Sequence, residues 1–351
     1  MKKRLIAYTH GRDDPAARFR IGQYAACLRE AGWNLSLRPL HPERPRRSHV
    51  RNKYARRVHQ AWGVSRRRLR RLWDIQAAAH YDVAFVNRDL LENRNFYMQR
   101  LLARNARVIF DFDDAIFLGQ KADHIEWVCR HAAWVTAGNE HLADFARQFT
   151  DQVTVLPTVV DTDAYRTRRT AESRPLRVGW LGSDLSIRET LFPYASMLAR
   201  LQAELGFEFV VVSKPRPPIP ECGLQWTYHE WSPEAETNIA DLFDIGIMPL
   251  TDEPYQQGKC GCKLLQYMAA GLPAIASPVG INAAVLGDGT RGLPASSEAD
   301  WRTPLSRLVS DPTLRQQLGA KGRAFVEKEY SIKRWFPILL DILVKVDALP
   351  R

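Results

Sequence analysis

Three carboxylates and two ammonium groups stand out for the chemistry they could do. Asp111, Asp113 and Asp114 follow a short apolar run, Arg107 to Phe110. Like charges this close raise the pKa of at least one of them, which suits a group that accepts or shares a proton. The same trio could instead coordinate a divalent cation, or cap a helix and pair with an arginine. Much later, Gly258-Lys259-Cys260-Gly261-Cys262-Lys263 is a glycine turn carrying two lysines. The glycines let the backbone approach a ligand closely. Lys263 to Ala270 is a run of good helix formers with Leu264, Leu265 and Met268 on its apolar side. Gly271 stops that helix and Pro273 cannot continue it. A helix amino terminus presents N–H groups and partial positive charge, so with Lys259 and Lys263 beside it the turn suits an anion. The plainer alternative is the turn of any α/β protein with two solvated lysines.

The elements that must position these groups alternate. Arg4–Tyr8, Asn34–Leu37, Tyr81–Val86, Arg107–Phe110, Ala133–Thr136 and Val153–Leu156 read as strands. Helices are predicted over about 17–31, 91–103 and 140–149, and the basic segment after Pro45 reads as helical. Asp161 to Pro175 is polar, without apolar period, and reads as a linker. Strands resume at Leu176–Leu181, which ends in the glycine turn Gly182-Ser183, and continue at Phe207–Val212, Asp244–Leu250 and Pro273–Ser277. Helices are predicted near 298–309, 312–328 and 333–346. Strands alternating with helices imply two parallel, doubly wound α/β sheets. Ligands of such sheets sit beyond the carboxyl ends of the strands. Asp111, Gly182 and Gly258 fall at such ends, and two halves joined by one linker imply a central cleft.

Composition narrows the class. The 351 residues are 45% hydrophobic, as in soluble globular proteins, and allow two domains of ordinary size. No apolar run approaches the ~18 residues that suggest a membrane span. The amino-terminal apolar run is too short for a signal peptide. The five scattered cysteines suit reduced thiols, so a cytoplasmic location is expected. Cys260-x-Cys262 lacks a second ligand pair, and no metal is expected. The net charge is +11, concentrated between Arg44 and Arg71, where Arg46, Arg47, Arg51, Lys53, Arg56, Arg57, Arg66, Arg67, Arg68 and Arg70 also lie. Tyr54, Val58, Trp62, Val64, Leu69, Leu72 and Trp73 are interleaved with them. That mixture suits peripheral contact with an anionic membrane, at the inner face of the cell membrane, as well as it suits a solvated face. The segment lacks a motif that reads bases, so no nucleic acid is expected.

Gly-Lys-Cys-Gly at 258–261, Lys-Leu-Leu-Gln-Tyr-Met-Ala-Ala-Gly-Leu-Pro at 263–273 and Ala-Ser-Pro-Val-Gly at 276–280 resemble the donor segment of the GT4-like (group 1) glycosyltransferases. Asp111-Phe112-Asp113-Asp114-Ala115-Ile116-Phe117, Ala17-Arg18-Phe19-Arg20-Ile21, Ala137-Gly138-Asn139-Glu140 and Val178-Gly179-Trp180-Leu181-Gly182-Ser183 extend the likeness over nearly the whole chain. The resemblance implies the GT-B fold, two Rossmann-like domains facing a central cleft. Residues 1–165, with a final helix from about 333 to 351 packing back, would bind the acceptor, and 175–330 the nucleotide sugar. It implies a hexosyltransferase that moves a sugar from a nucleoside diphosphate sugar to a lipid-linked or polysaccharide acceptor in cell-surface glycan or lipopolysaccharide synthesis. Configuration would be retained, and no cofactor beyond the donor substrate would be needed.

Residue by residue, Asp113 stands where many members have a histidine and Asp114 where they have the following acid. Asp113 would either accept a proton or orient the acceptor hydroxyl. Gly182, Ser183, Lys259, Cys260, Gly261 and Lys263 would hold the diphosphate, and Lys263 would stabilise the charge that develops on it. Arg18, Arg20 and Asn139 would contact the acceptor or the phosphates. Two positions that carry glutamates in the general family pattern are Gly258 and Gln266 here. Gln266 could still bond a ribose hydroxyl, while recognition of the donor sugar would pass to Asp252 or Glu253. A sugar-nucleotide epimerase of the same fold and a non-catalytic binding protein are the alternatives.

Overall fold

The computed structural model describes residues 2–41, 53–91, 95–119, 122–167, 175–218 and 221–350. These form two compact units, Met1–Thr158 with Trp335–Arg351, and Val159–Arg334.

Each unit is built on one parallel sheet. In the first, β1 (Lys3–Gly11), β2 (Trp33–His41), β3 (Val83–Asn87), β4 (Val108–Phe112), β5 (Trp134–Ala137) and β6 (Val153–Val155) lie in the order β2-β1-β3-β4-β5-β6. Every pairing is parallel. β3 and β4 are buried along their whole length and, apart from Asn87 and Asp111, are apolar. The order reverses between β1 and β3. The last helix, Ile332–Asp347, carries its residues from Trp335 onward into this unit. There Phe336 stacks on Tyr24 at 6.2 Å, and Asp347 pairs with Arg107 at 2.8 Å and Lys3 at 2.7 Å.

In the second unit, β7 (Arg177–Leu181), β8 (Glu208–Ser213), β9 (Trp226–Glu230), β10 (Ile245–Met248), β11 (Ala274–Ala276) and β12 (Leu293–Pro294) lie in the order β12-β11-β10-β7-β8-β9. All pairings are again parallel. Counted from β7, this is the dinucleotide-fold order, with its reversal between β7 and β10. At that reversal Gly179 pairs with Gly246. A Cβ on Gly179 would enter the Phe243 ring, and one on Gly246 would enter the Tyr267 ring. The paired glycines therefore clear space for two large rings. The Tyr267 hydroxyl accepts from Leu181 N at 3.0 Å and donates to Ile247 O at 3.2 Å, tying β7 to β10.

The structure departs from the sequence-based expectation in several elements. The single helix over 17–31 is three short pieces, Pro15–Arg20, Gly22–Tyr24 and Ala25–Glu30, broken where Ile21 leaves helical backbone at φ −143. β9, β12 and the helix Ala122–His131 were not anticipated. β9 is half exposed and carries a histidine and a glutamate, and β12 has two residues, so neither shows an apolar run. Of the stretch read as a linker, 168–174 lie outside the described residues. Residues 161–167 belong to the second unit, where Arg166 N donates to Thr237 O at 3.0 Å. The basic segment forms the helix Lys53–Ala77, while its arginines Arg44, Arg46, Arg47 and Arg51 lie outside the described residues.

Candidate active site

The carboxyl ends of β7 and β10 carry the donor-segment residues. Gly261, at φ +65, adopts backbone that side-chain-bearing residues rarely enter, and it starts the helix Cys262–Ala269. A Cβ there would also lie 3.0 Å from Ile281 Cδ1. The turn makes Lys263 the second residue of the helix, in the first turn, where the helix supplies no acceptors for its own amides. Lys263 Nζ lies 5.3 Å from the Trp180 ring centroid and donates to Ser186 Oγ at 2.8 Å. Gly182 makes this path possible, because a Cβ there would lie 2.9 Å from Lys263 Cε and would strike the Trp180 ring. Ser183 caps the helical turn Asp184–Ser186, its oxygen accepting from Ser186 N at 3.2 Å. A lysine, two serine hydroxyls and a helix amino end thus converge beside a sheet switch point, a combination suited to a diphosphate.

The other donor-segment residues divide. Lys259 Nζ sits 5.0 Å from the Tyr255 ring centroid and is half-buried. Cys260 is buried, its thiol 3.9 Å from Gly258 O. Gln266 is buried. It is 3% exposed, and its amide donates to Tyr165 Oη at 3.0 Å, which in turn bonds Glu236 Oε1 at 3.3 Å. The amide expected to meet a ribose hydroxyl thus holds a buried bond to Tyr165. Asp252 and Glu253 are exposed, and Asp252 accepts from Gln257 Nε2.

In the first unit the carboxylates are engaged. Asp111 lies within β4 and is fully buried, not exposed at its end. It accepts from Thr136 Oγ1 at 2.7 Å, Asn87 Nδ2 at 2.9 Å and Arg20 Nη2 at 2.5 Å. Arg20, expected to contact phosphate or acceptor, is 1% exposed and also donates to Leu156 O at 2.5 Å. Its guanidinium is committed to the fold. Asn139, expected in the same role, caps the helix Glu140–Arg147 by accepting from Leu142 N at 2.9 Å. Arg18 lies over the Phe19 ring, 4.9 Å from its centroid.

Asp113 and Asp114 share one partner. Arg88 Nε donates to Asp113 at 2.7 Å and Nη2 to Asp114 at 2.6 Å. Burial pushes the Asp113 carboxyl up, but the charge and hydrogen bond of Arg88, with the charge of Arg20, outweigh it and hold the group below the usual carboxylate range. The raised pKa expected from crowded carboxylates is thus reversed at Asp113, and it appears instead at Asp14. Burial raises Asp14, Asp113 adds to the rise, and Arg88 opposes it. Asp14 Oδ2 is buried and makes no hydrogen bond. Arg88 holds φ +66, a strained backbone for an arginine. Among the described residues no three His, Cys, Asp or Glu side chains gather to hold a metal ion.

Residues 179–311, which contain both glycine turns and Lys263, match the family described as Glycosyl transferases group 1. Over these residues the chain carries a group 1 glycosyltransferase domain. No curated protein matches it. Among solved structures, the transferase resembles sucrose-phosphate synthase from Thermosynechococcus elongatus, with TM-score 0.74 and 15% identity over 99% of this chain and 100% of that one. It also resembles Anabaena HepE in complex with UDP and glucose, with TM-score 0.61 and 13% identity over 97% and 99%. A third is the lipopolysaccharide outer core galactosyltransferase WaaB in its apo form, with TM-score 0.55 and 11% identity over 97% and 99%. At these identities the likeness is one of fold, and the fold is GT-B.

Four residues that contact the candidate residues were missed in the sequence. Ser186 stands three residues after the Ser183 cap, a spacing that brings its amide to the cap and turns its hydroxyl to Lys263. Arg88 follows an apolar strand in Asn87-Arg88-Asp89, and charged residues directly after a buried strand are a usable signal. Asp14, before Pro15, occupied a loop with two other charges, and nothing in that pattern singles it out. Tyr165 lay in the stretch read as a linker.

Proposed function

We propose that the protein transfers a sugar from a nucleoside diphosphate sugar to a lipid-linked or polysaccharide acceptor in cell-surface glycan synthesis, retaining configuration and using no metal. This is GT4-type chemistry, carried out in the cytoplasm at the inner face of the cell membrane. One observation carries it: Lys263 threads past Gly182 and over Trp180 to Ser186, at the switch point of the second sheet. The leaving group is a nucleoside diphosphate, so the site must stabilise developing negative charge. The Lys263 ammonium, the Ser183 and Ser186 hydroxyls and the amides of the first turn after Gly261 supply that stabilisation. HepE was solved with UDP and glucose, which supports a uridine nucleotide as the first donor to test. WaaB is a lipopolysaccharide galactosyltransferase, which supports a glycan acceptor.

In the first unit, Asp113 is paired with Arg88, which helps hold its carboxyl below the usual range, a geometry that fits orienting an acceptor hydroxyl better than removing its proton. In a retaining reaction the departing phosphate oxygen can take that proton. The acceptor's lipid would be met at an anionic membrane surface by the basic segment Arg44–Arg71.

A thermal-shift screen of nucleoside diphosphates and their sugars tests the donor site. A ligand at a hundredfold excess over its Kd should add about 2.7 kcal/mol of apparent stability, and Lys263→Ala should remove that gain. If no nucleotide shifts the melting temperature, the reading fails. Product analysis without acceptor separates transfer from epimerisation. Failure of any sugar nucleotide to turn over, despite binding, would favour a non-catalytic role.

A further inference from the structure

The helix Lys53–Ala77 presents two opposed faces. Its inner face is fixed to the first sheet. Arg71, 1% exposed, donates to Leu90 O at 2.9 Å, Arg38 O at 2.9 Å and Thr9 O at 3.2 Å, and Ile75 is fully buried. Tyr8 Oη donates to Asp74 O at 2.8 Å. The outer face, about half a turn away at 3.6 residues per turn, holds Trp62 at 64% exposure, Leu69 at 60% and Trp73 at 77%. These three lie within about 40° of one another around the helix. Arg66 and Arg70, both exposed, lie along the same stripe. Two tryptophans and a leucine left in water on one rigid helix are a cost that monomeric soluble proteins rarely carry without use.

We infer that this face is a docking surface for an anionic lipid bilayer, with Trp62, Leu69 and Trp73 entering the headgroup layer and Arg66 and Arg70 binding phosphate oxygens. The inference deepens the membrane-surface reading above by naming the residues that touch lipid. Indole rings prefer the interface between water and acyl chains. Arginines along the stripe complement anionic headgroups, and each adds about fivefold to the partition near such a surface. A second copy of the chain fits less well. A two-fold contact through this face would set Arg66 and Arg70 against their own copies, in a chain of net charge +11. Single-stranded nucleic acid could stack on indoles, but Leu69 lies between the two rings and offers no stacking plane. Because Arg71 and Ile75 anchor the opposite face, the outer residues can be changed without disturbing the fold.

The test is flotation of the full chain with vesicles of phosphatidylcholine alone and of phosphatidylcholine mixed with phosphatidylglycerol, with no sugar nucleotide present. The wild-type chain should bind the anionic vesicles at least tenfold more tightly than the neutral ones. The triple variant W62S/L69S/W73S should lose at least tenfold of that binding with an unchanged melting temperature. The variant R66Q/R70Q should lose binding to anionic vesicles and keep any weak binding to neutral ones. Anionic binding unaffected by the triple variant overturns the inference. So does equal binding to both vesicle types, or none to either. Loss of single-stranded oligonucleotide binding in the triple variant, with no vesicle binding by the wild type, would reassign the face to nucleic acid. Concentration-dependent self-association abolished by the triple variant would reassign it to a second copy. Because no donor is used, a failure here leaves the donor-site reading standing, and the nucleotide screen can fail without touching this result.

Discussion

The two units end their sheets in opposite ways. In the first, the arginines at the carboxyl ends are spent on acids: Arg20 on Asp111, Arg88 on Asp113 and Asp114. In the second, Lys263 lies against a serine hydroxyl and an indole face. An arginine locked to a carboxylate is mainly part of the fold. A serine hydroxyl and an indole face are contacts that a phosphate can replace. The same parallel architecture therefore ends in arginine–carboxylate pairs in one unit and in a lysine beside a serine hydroxyl and an indole in the other.

The strongest attack on this contrast is to break the buried pair of the first unit. Removing one member of such a pair leaves the other charge uncompensated and costs about 3–5 kcal/mol. Urea unfolding of Arg20→Ala should show a loss of that size, and a midpoint equal to that of the wild type would sink the idea that Arg20 serves the fold. Next comes Lys263→Ala. Transfer rate should fall about 10²–10³-fold, the scale for removing one charge-stabilising donor, while unliganded stability changes by less than about 1 kcal/mol. A large loss of unliganded stability would make Lys263 structural and erase the difference between the units.

Gln266→Ala sharpens the boundary within the second unit. It removes the buried bond from the Gln266 amide to Tyr165 and should cost about 1–3 kcal/mol in unfolding. Nucleotide affinity should stay close to wild type, unlike that of Lys263→Ala. Equal losses of affinity in the two variants would restore Gln266 to the ribose.

The smallest effect is a pH dependence. The Asp14 carboxyl is raised from its ordinary 3.8, chiefly by burial, so the folded chain binds this proton more tightly than the unfolded chain. Its contribution favours folding at low pH and fades as pH rises from 3.8 through the folded value. The Asp113 carboxyl is lowered, so its contribution is present above 3.8 and is lost as pH falls through the folded value. Asp14→Asn should remove only the first dependence, leaving a variant that gains stability relative to wild type toward neutral pH. Melting curves across the acid range will read the difference, and parallel curves would place Asp14 in water.

Much of the framework was legible because its signals are periodic. Val108 to Phe112 and Arg177 to Leu181 are apolar runs that end in charged or glycine residues, and both proved to be central strands. The turn before the helix Cys262–Ala269 was legible because Gly258, Gly261, Lys263 and Gly271 each carry a local conformational or charge preference. What failed was partner choice. Asp111 was placed one step too late, at the end of β4 and not inside it, and at that step its burial and its pairing with Arg20 were lost. Arg20 and Asp111 are 91 positions apart, and no local pattern joins them. The bond from Gln266 to Tyr165 is invisible for the same reason, since Tyr165 lies 101 residues upstream. Side-chain type and spacing disclose which groups can do chemistry, whereas the long-range contacts decide which of them are left to do it.

The route of the chain has a consequence for synthesis. Residues 335–351 close the first unit by stacking Phe336 on Tyr24 and pairing Asp347 with Lys3 and Arg107. The second unit, Val159–Arg334, has all its strands before that point. A chain emerging from the ribosome amino end first can thus finish its second unit while the first, although made earlier, still waits for its last helix.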